Sequence, residues 1–207
     1  MLKNIKNLIQ TSILKSYDKE IDYSTWIFSS SFNTKFNYNS KYLFEYVIKN
    51  EPSIKPLYVI NDDALRTRLQ KKYGEKYFIE AKSTQGIKQV LKAGVWFTSA
   101  GLPVYGLGLN RKRLIVNLWH GVPLKKIALL EENASKFKKI YFKYLFSNNY
   151  SFIITTSKKL TNLMSRSFGV KEEQVKVLGQ PRNDVLFKSP VVICQALKTR
   201  KLENYCG

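Results

Sequence analysis

Apolar residues in this chain fall into short runs of four or five, and between those runs they recur every three or four positions. The first habit reads as strands buried in a sheet, the second as helices packed against it by one side. Trp26–Ser30 is the first run. A polar loop, Ser31-Phe32-Asn33, follows it, and Ser40 is placed to cap a helix carrying Tyr42, Leu43, Tyr46 and Val47. Leu57–Ile60 is the second strand, with Asn61-Asp62-Asp63 as a cap, a helix through Tyr73, and Gly74 as its stop. Tyr77–Ala81 is the third. Ser83 and Thr84 then open a helix bearing Ile87, Val90 and Leu91, with Gly94 as its stop and Val95–Ser99 as the fourth strand. Leu114–Leu118, Phe152–Thr156 and Val175–Leu178 complete the set, and the spacing predicts helices over 136–150 and after Ser157.

Strands separated by helices of about ten to fifteen residues require crossover connections. The predicted fold class is therefore α/β, a Rossmann-like parallel sheet of roughly seven strands. Residues 26–187 form this domain. Ahead of it, residues 1–25 make a basic segment in which Leu2, Ile5, Ile9 and Ile13 recur at helical spacing among Lys3, Lys6 and Lys15. That amphipathic stretch has two readings, packing on the domain or resting on a membrane surface. In the helix over 136–150, Phe137, Ile140, Tyr141, Tyr144 and Leu145 share one face and are expected in the core. Phe142 and Phe146 fall among Lys136, Lys138, Lys139 and Lys143, so they are expected to face outward, toward an anionic membrane surface.

A hydrophobic content of 44% is ample for a core and excludes a disordered chain. The net charge of +20 is concentrated in residues 101–188, which hold sixteen Lys and Arg against five Asp and Glu. Such a field attracts anionic lipid, phosphorylated small molecules or nucleic acid. Nucleic acid is the weakest of these, because no recognised binding motif accompanies the charge. Cys194 and Cys206 provide no disulfide framework, no signal-peptide core is present, and no window is apolar enough for a membrane span. A cytoplasmic protein, soluble or peripheral on the inner face of the membrane, is the expectation.

Chemistry concentrates in Leu114–Lys126, where an apolar strand runs into Trp119, then into the chain's single histidine, His120, then Gly121 and Pro123. Ligands of open α/β sheets bind outside the carboxyl ends of the strands, so His120 has a functional address. The competing reading is a hydrogen-bonded structural histidine. Gly121 is expected to let the chain turn and a ligand approach, and Pro123 to fix φ near the start of a helix. Lys125 and Lys126 suit an anionic substrate. No Gly-x-Gly-x-x-Gly follows the first strand and no phosphate-binding P-loop is present. With one histidine and no clustered carboxylates, neither a metal site nor a cofactor is expected.

Three stretches, Asn37–Tyr46 (NYNSKYLFEY), Asn117–Lys125 (NLWHGVPLK) and Gly179–Leu186 (GQPRNDVL), occur in this order. Over about Trp26–Phe187 the chain with these motifs resembles the CDP-glycerol glycerophosphotransferase family, the polymerases and primases of teichoic acid and capsule synthesis. The resemblance implies two Rossmann-like domains of the GT-B kind, of which this chain matches the N-terminal one. It also implies transfer of phosphoglycerol from CDP-glycerol, or a related CDP-polyol, to a lipid-linked polyol phosphate acceptor, with release of CMP.

On that basis His120 is the general base, and Asn117, Trp119, Gly121, Pro123, Lys125, Arg182 and Asp184 are the substrate-binding candidates. Lys125 either neutralises phosphate charge or is a solvated lysine at a helix start. Arg182 and Asp184 either contact phosphates or brace the turn between domains, and bracing is the favoured reading. Residues 188–207 are expected to diverge from the family. The second, nucleotide-binding domain is absent from these residues, and a chain that truly ended here would lack half of the active site. The alternative function is a non-catalytic Rossmann-like fragment that binds anionic polymer or a membrane surface.

Overall fold

In the computed structural model, which describes residues 20–106, 109–132 and 134–187, the strands are β1 (Asp22–Ser29), β2 (Lys55–Val59), β3 (Phe78–Ile79), β4 (Ala93–Thr98), β5 (Leu114–Asn117), β6 (Phe152–Thr155) and β7 (Val175–Val177). They form one parallel sheet in the order β3-β2-β1-β4-β5-β6-β7. The strand order reverses between β1 and β4, which opens a crevice at the carboxyl edge of the sheet beside β5. Five α-helices accompany the sheet: α1 (Tyr38–Asn50), α2 (Asp63–Tyr73), α3 (Thr84–Lys92), α4 (Lys136–Leu145) and α5 (Thr161–Phe168). The amphipathic stretch over residues 2–15 and the tail bearing Cys194 and Cys206 lie outside the described residues. Among the described residues no helix is long and apolar enough to cross a membrane.

The period-2 alternation of the strands sorts their side chains onto two faces. On one, Ile27, Trp96, Ile115, Ile153 and Val175 meet Ile87, Val90 and Leu91 of α3, Met164 and Phe168 of α5, and Leu102, Val104 and Leu109 of the loop after β4. On the other, Phe28, Tyr58 and Phe78 pack with Phe44 and Val47 of α1 and Leu69 of α2. The remainder of that second face, with Trp26, Phe97, Leu114, Val116, Phe152 and Ile154, lines an open apolar groove of about 640 Å³. The loop after β4 is thus a packed connection, and Thr98 Oγ1 bonds the carbonyl of Gly101 to close its first turn. Buried Arg113 donates to the carbonyls of Leu91 and Ala93 at the end of α3, where the helix leaves carbonyls unpaired and favours a cation.

Several local expectations change in the folded chain. The helix after β1 begins at Tyr38 with Asn37 at the cap position, so Ser40 is a buried first-turn residue and not the cap. Gly94 does not stop α3. It lies within β4, where a Cβ would come 2.7 Å from Tyr23 Cδ1 and 2.8 Å from Tyr23 Cα, so its role is close approach of two strands. No α-helix follows Pro123: a short 3-10 turn at Ala128–Leu130 intervenes, and α4 starts only at Lys136.

The largest correction concerns α4, which also ends at Leu145 instead of Tyr150. Phe142 and Phe146 turn inward, stacked on each other at 5.0 Å and packed on Phe168, Tyr105 and Tyr150, while Leu145 is buried. Phe137, Ile140 and Tyr144 point out, with exposures of 67%, 55% and 57%. Both faces of this helix carry large apolar residues, and the neighbours on α5 and in the loop after β4 decide which one is covered. Replacing Phe142 and Phe146 together by Ser is expected to lower stability by about 3 kcal/mol or more. Replacing Phe137 and Tyr144 should stay within about 0.5 kcal/mol per site. Urea denaturation of the variants distinguishes the two faces, and the opposite ranking would restore the outward placement of Phe142 and Phe146.

Candidate functional site

β5 carries the chain to the carboxyl edge of the sheet, where Leu118 N–H still donates to the Thr98 carbonyl at 2.7 Å. There the strand breaks. Trp119 takes a left-handed backbone conformation, φ 53°, which costs a non-glycine residue on the order of 1–2 kcal/mol. Two asparagines hold it. Asn117 Oδ1 accepts the Trp119 N–H at 2.9 Å, and Asn39 Nδ2 donates to the Trp119 carbonyl at 2.8 Å and to the Leu118 carbonyl at 3.1 Å. The turn throws Trp119 against Phe168, at 5.0 Å between ring centroids, and presents His120 to the crevice.

The imidazole of His120 is half-buried between the rings of Trp119, at 4.1 Å, and Tyr38, at 4.8 Å. Nδ1 lies 3.1 Å from the carbonyl oxygen of Ser99. A carbonyl only accepts, so Nδ1 carries the hydrogen and Nε2 keeps a free lone pair. Burial pushes the imidazole below its ordinary pKa. The hydrogen bond to Ser99 opposes this, and the positive charge of Arg182 adds to it. The ring is therefore neutral at pH 7, as a proton acceptor must be. Beneath it, Ser99 Oγ accepts the Ser40 N–H at 2.9 Å, and Ser40 Oγ lies 3.1 Å from the hydroxyl of buried Tyr58. The first turn of α1 and the end of β4 thus anchor the histidine's partner.

Arg182 reaches the same point from beyond β7, on the 3-10 turn Pro181–Phe187. Its backbone N–H donates to Asn39 Oδ1 at 3.3 Å, and its Nη2 would lie 3.9 Å from a Cβ placed on Gly121. Gly121 is not where the chain turns, since the left-handed residue is Trp119. What Gly121 leaves is open space beside the guanidinium and the imidazole.

Of the residues picked out in the sequence, the fold thus brings together Asn117, Trp119, His120, Gly121 and Arg182. It leaves Lys125 exposed, where its charge adds to the larger effect of the Lys138 hydrogen bond in holding the Glu131 carboxyl low. Asp184 is exposed and forms no ion pair among the described residues, so it does not brace the turn through Arg182. Pro123 sits half-buried in an irregular stretch. Sequence reasoning missed Asn39, Ser99 and Tyr38. The only signal was that Tyr38 and Asn39 fall inside a stretch already singled out. Among the described residues no group of three or more His, Cys, Asp or Glu side chains stands together to hold a metal.

Residues 12–202 match the family described as CDP-Glycerol:Poly(glycerophosphate) glycerophosphotransferase, so the match extends beyond Trp26–Phe187 at both ends and takes in most of the tail expected to diverge. The chain is 23% identical over 202 residues to a teichoic acid poly(glycerol phosphate) polymerase of Staphylococcus epidermidis, covering 89% of this chain and 27% of that protein. It is 24% identical over 203 residues to a teichoic acid glycerol-phosphate transferase of Staphylococcus aureus, covering 90% and 49%. It therefore spans between about a quarter and a half of the length of these relatives. Among solved structures, a variant of the wall teichoic acid polymerase TagF soaked with CDPG superposes with a TM-score of 0.75 at 21% identity, over 98% of this chain and 53% of that one. The Rossmann-like parallel sheet is thus that of part of TagF, a GT-B-like fold.

Removing the Arg182 charge should raise the pKa of His120. In an untagged chain His120 is the single histidine, so its Cε1–H signal can be followed through a pH titration by NMR. Arg182→Gln is expected to move the midpoint up toward the ordinary value of about 6.5. An unchanged midpoint would mean that the guanidinium does not act on the ring.

Proposed function

The chain belongs to the CDP-glycerol:poly(glycerophosphate) glycerophosphotransferase family, and from that premise we propose that it provides the general-base half of a phosphoglycerol transferase. The observation that carries this reading is the imidazole of His120 fixed through Nδ1 on the Ser99 carbonyl, which leaves Nε2 as the nitrogen without a hydrogen, while burial holds the ring below its ordinary pKa. An acceptor hydroxyl is a poor nucleophile until its proton has somewhere to go. Nε2 takes that proton as the hydroxyl oxygen forms its bond to the β-phosphorus of CDP-glycerol or a related CDP-polyol. The bond from that phosphorus to the bridging oxygen breaks, and CMP departs with the electron pair. Arg182 faces the space beside Gly121 and offers charge to the phosphates, for which a guanidinium is well shaped. In this reading the nucleotide itself is held by a second domain, as the relatives' greater length allows.

The acceptor in this reading is a lipid-linked polyol phosphate, and the outward side of α4 supports docking on an anionic membrane surface. Phe137, Ile140 and Tyr144 lie exposed there beside Lys136 and Lys143, and Leu124, on the turn after His120, is 98% exposed beside Lys125 and Lys126. Apolar side chains entering the interface and lysines at the headgroups act together, each lysine contributing about 1 kcal/mol. This is the opposite side of α4 from the one its sequence pattern suggests.

His120→Ala, assayed as CMP release from CDP-glycerol by the chain together with a family second domain, should lower turnover by about two to four orders of magnitude. The unsubstituted protein should lose activity as pH falls through the depressed imidazole pKa, because protonation removes the base. Turnover within a few fold of the unsubstituted protein would take His120 out of the chemistry. Phe137→Ser with Tyr144→Ser should weaken binding to phosphatidylglycerol vesicles, and added salt should weaken it further. Equal binding to phosphatidylcholine vesicles, or no effect of the double substitution, would refute the docking face.

A further inference from the structure

Asn39 is fully buried at the second position of α1, where a carboxamide contributes little to helix capping and must find partners of its own. It finds them far away in the chain. Both Nδ2 hydrogens go to successive carbonyls, Leu118 and Trp119, and Oδ1 takes the Arg182 N–H. In an extended strand successive carbonyls point to opposite sides, and one amide could not reach both. The left-handed conformation of Trp119 aligns them, as successive peptides align within a helical turn, and the two bonds in turn hold Trp119 in that conformation. With Asn117 on the N–H of Trp119, both peptide groups of the strained residue are tied down. The third bond joins a segment more than sixty residues further along, the one that carries the guanidinium.

We infer that Asn39 is the positioning residue of this site: its carboxamide locks the turn before His120 and the peptide of Arg182 to one point, so that imidazole and guanidinium are presented as a single unit. Asn39 has no open face toward the crevice, so it acts only through these two residues. Removing it leaves two carbonyls and an N–H without their partner and lets Trp119 relax toward an extended backbone. That swings His120 off the Ser99 carbonyl. The charged group acting on the ring is Arg182, while Tyr38 and Trp119 contact it as aromatic neighbours.

The structural part of this inference stands apart from the proposed reaction, and its test needs no substrate. The His120 midpoint is measured by NMR for the unsubstituted chain, Asn39→Ala, Arg182→Gln and the double variant, with the thermal transition of each recorded. Asn39→Ala releases the ring from burial, the largest of the influences that hold its pKa low, and so should raise the midpoint although the Ser99 bond that favours protonation is lost with it; the double variant should rise no further than Asn39→Ala alone, because Arg182 acts on the ring only while Asn39 holds it there. Additive shifts, or an unchanged midpoint in Asn39→Ala, would overturn the inference. Should Asn39→Ala not fold, Asn39→Ser replaces it, and hydrogen exchange on the unsubstituted chain decides independently: the Arg182 amide is expected to be protected, and free exchange there would contradict its bond to Asn39. The catalytic consequence rests on the proposed function. Asn39→Ala should lower kcat by about a hundredfold, the cost of roughly 1 Å of misplacement, with KM for CDP-glycerol within a few fold. A shifted midpoint with no CMP release from the unsubstituted chain supplied with a family second domain would reject the reaction and keep the positioning role.

Discussion

A buried carboxamide that must satisfy three hydrogen-bonding positions is the constraint on which this site depends. Asn39 meets it by gathering chain from the first helix, the end of β5 and the turn beyond β7. Neither of the last two is regular strand or α-helix at that point. The end of β5 carries a non-glycine residue in a left-handed conformation, and the turn beyond β7 is a 3-10 stretch with Leu186 and Phe187 exposed. The sheet supplies the scaffold, and the amide makes the loops at its carboxyl edge agree in position. Backbone strain gathers near the same edge: Phe32 and Asn33 after β1, Tyr38 at the start of α1 and Trp119 after β5 all have positive φ, with Ala128 the other such non-glycine position among the described residues.

The electrostatics follow from the same arrangement. A histidine in a strongly basic chain is under pressure to stay neutral, and here burial is the larger influence, with the Arg182 charge reinforcing it. The one opposing contribution, the Ser99 carbonyl, fixes the tautomer. One hydrogen bond therefore orients the ring and leaves the outer nitrogen available, while its surroundings keep that nitrogen unprotonated at neutral pH. The two aromatic neighbours limit solvent access without adding charge.

The doubly wound sheet is covered unevenly. Three helices and a packed loop close one face, whereas α1 and α2 cover mainly the β3-β2-β1 part of the other, with Leu43 of α1 reaching the edge of the rest. The uncovered part, lined by Leu114, Val116, Phe152 and Ile154, continues from the strand that delivers His120. The relatives this chain matches are two to about four times its length, so the described fold corresponds to one part of theirs.

Periodicity and cap chemistry in the sequence were enough to determine seven strands, their alternation with helices, a parallel sheet and the placing of His120 at a strand's carboxyl end. Those features follow from local patterns, in which each residue's role is set by neighbours within one turn or one pleat. Family resemblance was legible in three motifs. What only the tertiary structure decided was anything that depended on partners distant in the chain. The side of α4 that is buried was read the wrong way round for Phe142 and Phe146, because apolar residues occur on both faces and Phe168, Tyr105 and Tyr150 select the one the pattern did not. Gly94 read as a helix stop until Tyr23 was placed against it. Asn39 was not singled out within its motif, since nothing within ten residues reveals that it will be buried. Its partners lie 79, 80 and 143 positions away, and a hydrogen bond across that distance becomes visible only when the sheet has brought its carboxyl ends together.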